Sequence, residues 1–195
     1  MADKPVEDGK SANGFEKIVL ASGCFWCTEA IFKRVEGVKS VIPGYSGGYV
    51  KNPTYNEVCT GDTGHAEAIQ LEFDPKVISL EKILEIFWYT HDPTTLNRQG
   101  NDVGTQYRSA VFYSTEQQQE IVSKVKERIS TSGYYLKPIV TEILPFSNFY
   151  PAEEYHVDYY DNNRSVPYCS YVIDPKVQKL LKKFPEDLKK QYIHS

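Results

Sequence analysis

The 195-residue sequence predicts an α+β fold, a layered sandwich of helices against a sheet, and its pattern gives two reasons. Segments with apolar residues at helical spacing alternate with short β-rich runs, and no linker, repeat or low-complexity tract separates them. With 41% hydrophobic residues the chain can bury a sizeable core, and its length fits one domain. We therefore expect residues 15–195 to fold as a single domain behind a solvated tail, residues 1–14.

The elements follow in order. FEKIVLA, residues 15–21, reads as a strand buried on both faces, and a helix starts at Cys24 and runs to about Val35. Leu80, Ile83, Leu84, Phe87 and Trp88 recur at helical spacing behind a capping Ser79. In STEQ, Ser114 and Gln117 fit a capping box for a helix that turns Val122, Val125 and Ile129 inward. Asp174 and Pro175 supply the cap and first-turn proline of a last helix, with Val177, Leu180, Leu181 and Phe184 on its apolar face and Pro185 as its stop. Strands are expected at 38–45, 66–74, 108–113 and 139–144. The stretches 43–65, 91–107 and 145–171 are long and aperiodic, and loops beyond about 12–15 residues are usually functional or disordered. Their tyrosines, in GYSGGYVKNPTY, TQY and NFYPAEEYHVDYY, favour packing over disorder.

Composition excludes several roles. Apolar runs such as IVLA, Ile18 to Ala21, are too short for a membrane span, and MADKPVEDGKSANG has no apolar segment for export. A net charge of -4, with basic residues gathered only in the last turns, argues against nucleic acid and for small molecules or proteins as partners. Four cysteines in such a chain read as thiols of a reducing, cytoplasmic compartment.

The segment SGCFWCTEAIF places Cys24 and Cys27 as C-x-x-C. Cys27, Ala30, Ile31 and Val35 form one apolar stripe, so Cys27 reads first as a small buried hydrophobe. Cys24 falls in the strand-to-helix turn, where unpaired N–H groups and the helix dipole favour an anion, and its thiol is expected to be acidified. Zinc fits poorly, because Cys59 and Cys169 are isolated and no H-x-x-x-H pair exists. A thioredoxin-like thiol–disulfide oxidoreductase using Cys24 and Cys27 is the stronger rival. Aromatic residues at both intervening positions make the surroundings of Cys24 apolar, which suits a substrate ending in a methyl group.

In HAEAIQLEF, Glu67 shares a strand face with Ile69, Leu71 and Phe73. Either it lies at the wetter end of the strand, or it points inward and its pKa rises because burial disfavours the charged form. An inward carboxyl is a general acid near neutral pH. A thiolate beside such an acid suits attack on a centre whose oxygen needs a proton, and sulfoxide reduction through a cysteine sulfenic acid is one such reaction.

With these residues in view, the chain resembles the A-type peptide-methionine (S)-sulfoxide reductases over about residues 18–171. The resemblance is carried jointly by GCFW (Gly23 to Trp26), GYSGG (Gly44 to Gly48), NPTYNEVCTGDTGHAEA (Asn52 to Ala68), HDPTTLNRQGNDVGTQYRS (His91 to Ser109) and PAEEYHVDYY (Pro151 to Tyr160). It implies a two-layer α/β sandwich with a ferredoxin-like βαββαβ core. Cys24 is then the nucleophile, and Glu67 the proton donor to the sulfoxide oxygen. Tyr55 and Tyr107 bond that oxygen, Asp102 supports the polar side, and Phe25 and Trp26 wall the methyl pocket. It also implies action on free or protein-bound methionine-S-sulfoxide, recycling by thioredoxin, and no metal or organic cofactor. A monomer is expected.

Two departures bear on recycling: many members of that family have Gly where this chain has Cys27, and the glycine-rich tail with two recycling cysteines found in some is absent. The resolving role is assigned to Cys169, in VPYCSYV, because it lies in a tyrosine-rich loop where movement is cheap. Cys27 competes but is one helical turn from Cys24, so its use would demand unwinding. Cys59 is read as structural. His65, His91 and His156 are read as loop or cap hydrogen-bonders, and Glu153, Glu154, His156 and Asp158 as a solvated face rather than a metal site.

Overall fold

The computed structural model describes residues 11–193. The expected tail therefore lies largely outside the described residues; of it, Ser11 to Gly14 form a turn in which the Gly14 N–H donates to the Ser11 carbonyl at 3.0 Å. The chain runs through β1 (Glu16–Ser22), α1 (Phe25–Lys33), β2 (Val38–Ser46), α2 (Tyr55–Cys59), β3 (Ala66–Phe73), α3 (Leu80–Thr90), β4 (Arg98–Gln99) and β5 (Asp102–Val103). It continues through β6 (Ser109–Tyr113), α4 (Glu116–Thr131), β7 (Glu142–Pro145), β8 (Tyr150–Pro151), α5 (Tyr159–Asn162), a π-helical turn (Cys169–Ile173) and α6 (Asp174–Lys183).

Six strands form one mixed sheet in the order β7-β6-β1-β3-β2-β8, while β4 and β5 pair separately. The β6–β7 pair is parallel and its neighbours are antiparallel. One face of the sheet, with Ile18, Leu20, Ile69, Leu71, Phe73 and Val111, packs against the helices in the main core. Burying each large aliphatic or aromatic side chain there contributes roughly 1.5–3 kcal/mol. The other face is a smaller cluster of Val19, Ala21, Ala66, Ala68, Ala110 and Phe112 under Leu144 and Phe149. The strand expected to be buried on both faces is so: Ile18 through Ala21 are at most 2% exposed.

Helix starts show where the local reading held. Ser79 caps α3, its Oγ accepting from Lys82 N at 3.2 Å. The cap of α4 is Thr115, one residue later than expected: its Oγ1 accepts from Gln118 N at 3.1 Å, and the Gln118 side chain accepts from Ser114 N at 2.8 Å. Thr115 carries the extended backbone that a cap requires, so the reciprocal pair is shifted by one position. The expected strand 139–144 is shorter and later, as β7.

The largest difference is at the last helix. Asp174 is not its cap but a helical residue continuous with the π turn 169–173, and its carboxylate accepts a hydrogen bond from the Tyr160 phenol. Pro175 has no N–H to donate and its ring crowds the carbonyl four residues back, and the widened turn gives it room. Cys169 is therefore fully buried in a helical turn rather than carried on a mobile loop.

The three aperiodic stretches are packed. They hold α2, the β4–β5 pair, β8, α5 and single turns at 105–107 and 154–156.

Candidate active site

The site forms where β1 hands over to α1. Gly23 has φ +97°, and a Cβ there would lie 2.6 Å from the Gln99 Cβ. Gln99 cannot yield freely, because its side chain accepts from Asp92 N at 3.0 Å and donates to Asp92 O at 2.8 Å. Gly23→Ala is expected to cost about 1–3 kcal/mol, read as a lower denaturant midpoint.

This turn leaves Cys24 as the N-cap of α1, with an extended ψ of 124° and its carbonyl accepting from Cys27 N at 3.0 Å. The helix begins at Phe25, not at Cys24, and the Cys24 carbonyl closes its first turn by accepting also from Thr28 N at 3.4 Å, so Cys24 and Cys27 lie one turn apart.

Glu67 arrives from β3. The pairing Leu20↔Ile69, extended by two residues, puts Glu67 level with Ser22, at the end of β1 where the chain leaves for α1. It is 1% exposed, which excludes the wetter-end reading, and its Oε2 accepts the Phe25 N–H at 3.0 Å. Oε1 is buried without a hydrogen-bond partner among the described residues. Burial pushes the carboxyl up to about 8 against the opposing Phe25 N–H, with the charges of Asp102 and Cys27 adding to the rise.

The expectation of an acidified Cys24 is overturned. Burial is the main cause of a thiol pKa well above the ordinary value, and the hydrogen bond to Cys27 and the charge of Glu67 push the same way. The anion-binding position at the start of α1 is taken by the Glu67 carboxyl instead. Cys27, read from sequence as a small buried hydrophobe, shifts the other way, to about 7, through its interaction with Cys24 against burial and with help from Lys176, and the two thiols titrate as a pair. Cys27 is 2% and Cys24 7% exposed.

Each aperiodic stretch sends side chains here. Tyr55 opens α2, whose start is fixed by a Thr54–Glu57 capping box, and its ring stacks on Phe25 with centroids 6.4 Å apart. Burial and the charge of Glu67 raise the phenols of both Tyr55 and Tyr107, so both stay protonated hydrogen-bond donors. Asp102 Oδ2 accepts from the Tyr168 phenol at 2.7 Å. Phe25 is wholly buried, whereas Trp26 is only partly so, stacked on Tyr159 at 3.7 Å and edge-on to Tyr168 at 5.8 Å. The structure thus gathers Cys24, Glu67, Tyr55, Tyr107, Asp102, Phe25 and Trp26. Cys169 is buried in the same core cluster, and burial, with the charge of Cys27, raises its thiol.

Several neighbours were missed or misread. Tyr168, one residue before Cys169, donates its phenol to Asp102 at 2.7 Å and lowers the thiols of both Cys24 and Cys27, and no local pattern marks it. The expected solvated face is instead a set of diverging contacts. Glu153 accepts from the Tyr45 phenol at 3.0 Å and from Tyr55 N at 3.1 Å. His156 is buried and accepts from the Trp26 indole at 3.0 Å, and Asp158 pairs with Lys33 at 2.5 Å. PAEEYHVDYY was the one signal that could have pointed to them. His65 and His91 fit the bland reading: His65 accepts from Gly48 N at 3.0 Å, and His91 Nε2 bonds Ser109 Oγ at 2.8 Å. Among the described residues, no three His, Cys, Asp or Glu side chains converge as a metal requires.

The chain is similar to known proteins over most of its length. A sequence model of the family described as "Peptide methionine sulfoxide reductase" matches residues 16–188. A relative from Sulfolobus acidocaldarius, a peptide methionine sulfoxide reductase MsrA, is 58% identical over 172 residues, covering 88% of this chain and 96% of its own. The MsrA of Thermus thermophilus is 52% identical over 169 residues, 87% of this chain and 95% of its own. The structure resembles reduced Mxr1 from Saccharomyces cerevisiae with a TM-score of 0.75 and 37% identity, over 82% of this chain and 92% of that one. It also resembles Mxr1 in complex with Trx2, with a TM-score of 0.54 and 28% identity, over 77% and 88% of the respective chains. This chain belongs to the peptide methionine sulfoxide reductase family.

Proposed function

We propose that the reaction of this family member, reduction of methionine sulfoxide to methionine, runs through Cys24 as nucleophile and Glu67 as general acid. The observation that carries this reading is the buried, unpartnered Glu67 Oε1 beside the Cys24 thiol. A buried polar atom without a partner calls for a ligand, and the oxygen of a sulfoxide is a suitable one. Glu67 is protonated below about 8 and so has the hydrogen to give. Tyr55 and Tyr107 donate to the same oxygen, Asp102 holds the polar side through Tyr168, and Phe25 and Trp26 supply the apolar wall for the S-methyl group.

Cys24 is a protonated thiol in the resting site, and Cys27 accepts its proton along the hydrogen bond between them as the sulfur attacks. One oxygen atom passes from the substrate sulfur to Cys24, methionine leaves, and Cys24 becomes a sulfenic acid. The Cys169 thiol condenses with it, forming a Cys24–Cys169 disulfide with loss of water, and a dithiol reductant of the thioredoxin class restores both thiols. The S epimer is the proposed substrate, free or in proteins, and the chain acts as a cytoplasmic monomer without metal or organic cofactor. No helix among the described residues is long and apolar enough to cross a membrane.

The run β1-α1-β2-β3-α3-β6, with strand order β6-β1-β3-β2, supports reading the core as ferredoxin-like βαββαβ. Residues 15–195 act as one catalytic domain that includes the recycling segment.

The test is a turnover assay with separated sulfoxide epimers and a dithiol. Methionine is expected from the S epimer alone, and equal rates on both epimers sink the stereochemical assignment. Tyr107→Phe is expected to lower kcat about 10-fold with little change in KM, by removing a donor used in the transition state.

A further inference from the structure

We propose that Glu29 is a positioning residue for substrate binding: its buried carboxyl pins the turn 156–159, and that turn holds the Trp26 indole in place as the wall for the S-methyl group. The inference rests on the methyl pocket proposed above and concerns what sets its geometry.

Trp26, Glu29 and Lys33 stand at i, i+3 and i+7 of α1, so they share one face of the helix. That face meets the segment 156–161. Glu29 is 3% exposed, and a carboxyl is costly to bury where an apolar side chain would pack without that cost, so its place there calls for a partner. The partner is backbone: Glu29 Oε1 accepts the Asp158 N–H at 3.0 Å. Asp158 has φ +54° and ψ +28°, a left-handed conformation open mainly to glycine and held by other residues only at a cost. It separates the single turn at 154–156 from α5, and its N–H is turned to α1 instead of joining a helical ladder.

The pinned turn holds the indole at its edge and on its face. His156 Nδ1 accepts the Trp26 N–H at 3.0 Å, and the Tyr159 ring stacks on the indole with centroids 3.7 Å apart and planes within 7°. His156 cannot follow a displaced indole freely, because its ring is wholly buried and packed against Phe25, Tyr55 and Tyr155 at 4.9, 4.6 and 4.0 Å between centroids. Further along, Lys33 Nζ pairs with Asp158 at 2.5 Å and Asp161 at 3.0 Å, and Arg34 donates to Asp161 at 2.6 Å. These ion pairs fasten the side chains around α5, whereas the Glu29 bond acts on the backbone of the turn itself.

Without that acceptor, a change of φ at Asp158 swings His156 against Tyr159, and the indole gives up either its hydrogen bond or its stack. The substrate methyl group meets the wall in the ground state and the transition state alike, so the loss falls on binding and leaves the chemical step nearly unchanged.

The test compares Glu29→Gln, which keeps an acceptor oxygen at the same reach, with Glu29→Met, which keeps the bulk and removes the oxygen, and takes Trp26→Ala as reference. Single-turnover methionine release at rising N-acetylmethionine-S-sulfoxide, without reductant, gives a half-saturating concentration and a maximal rate. Proton NMR gives the Trp26 indole N–H signal, identified by its loss in Trp26→Ala. In Glu29→Met the half-saturating concentration is expected to rise about 10-fold, the low end of what a methyl-sized contact contributes in an apolar pocket, with the maximal rate held within about 2-fold. The indole signal is expected to move, and Glu29→Gln to restore both readouts. A folded Glu29→Met in which either readout stays at its wild-type value overturns the proposal, as does a Glu29→Gln that behaves like Glu29→Met. If Glu29→Met does not fold, Glu29→Asp, whose carboxyl is withdrawn by one methylene, is held to the same two readouts. Wild-type saturation in Trp26→Ala overturns the methyl wall itself, and wild-type protein that releases no methionine overturns the Cys24 chemistry.

Discussion

Replacing Cys24 with serine is expected to lower single-turnover methionine formation by roughly 10⁴-fold or more, the scale seen when a nucleophile is removed from other enzymes. The size of the effect has a chemical cause. The reaction ends with an oxygen atom on the nucleophile, and a sulfenic acid is an accessible state of sulfur with no counterpart for a serine oxygen. Binding is expected to change little, because Phe25, Trp26 and the donors Tyr55 and Tyr107 are held by other contacts, such as the Trp26 indole on His156 at 3.0 Å. The check is stoichiometric: one equivalent of methionine per wild-type chain without reductant and none from Cys24→Ser, with circular dichroism showing that both are folded. Methionine from the serine variant at near wild-type yield removes Cys24 from the mechanism.

Glu67→Ala is expected to slow reduction by about 10²–10⁴-fold, the range of a positioned general acid, while Cys24 remains open to alkylation. The pH profile gives the sharper test. Glu67 is active as an acid only while protonated, so this contribution is present below about 8 and is lost as pH rises through that value. Glu67→Gln keeps the shape and the bond to Phe25 N but has no proton to lose, so its residual rate should lack that alkaline decline. Stability carries the same sign. The folded carboxyl titrates at about 8 against an ordinary 4.5, so the folded state holds the extra proton between these values and the protein loses stability as pH climbs from 4.5 to 8. Urea melts at several pH values should show this slope in the wild type and a flatter one in Glu67→Gln. Full turnover by Glu67→Ala refutes the proton-donor role.

Much of this was legible in the residues because it depends on local rules. Ile18 to Ala21 form a fully apolar strand, Ser79 caps a helix with a clear apolar face, and alternation along HAEAIQLEF set Glu67 with Ile69 and Leu71, as its burial bears out. The misplaced cap of α4 was an error of one residue between two adjacent hydroxyls. The errors that matter chemically concern Cys24, Cys27 and Cys169. The helix-dipole argument for an acidic Cys24 was sound as local physics. It failed because the fold buries the thiol, and a carboxyl from β3, whose Oε2 takes the Phe25 N–H 42 positions away in sequence, adds its charge to the rise.

By itself the sequence determined the order of the main strands and helices, the face on which Glu67 points, the turn that carries Cys24 and the motifs that identify the family. These follow from period, capping and steric rules acting over a few residues. Only the tertiary structure decided that burial raises the Cys24 thiol, that Tyr168 bonds Asp102 at the site, and that Cys169 sits in a π turn within the core. Each of those depends on desolvation and on charges brought together from distant segments, and the free energy of a proton in a buried site is set by whatever the fold packs around it.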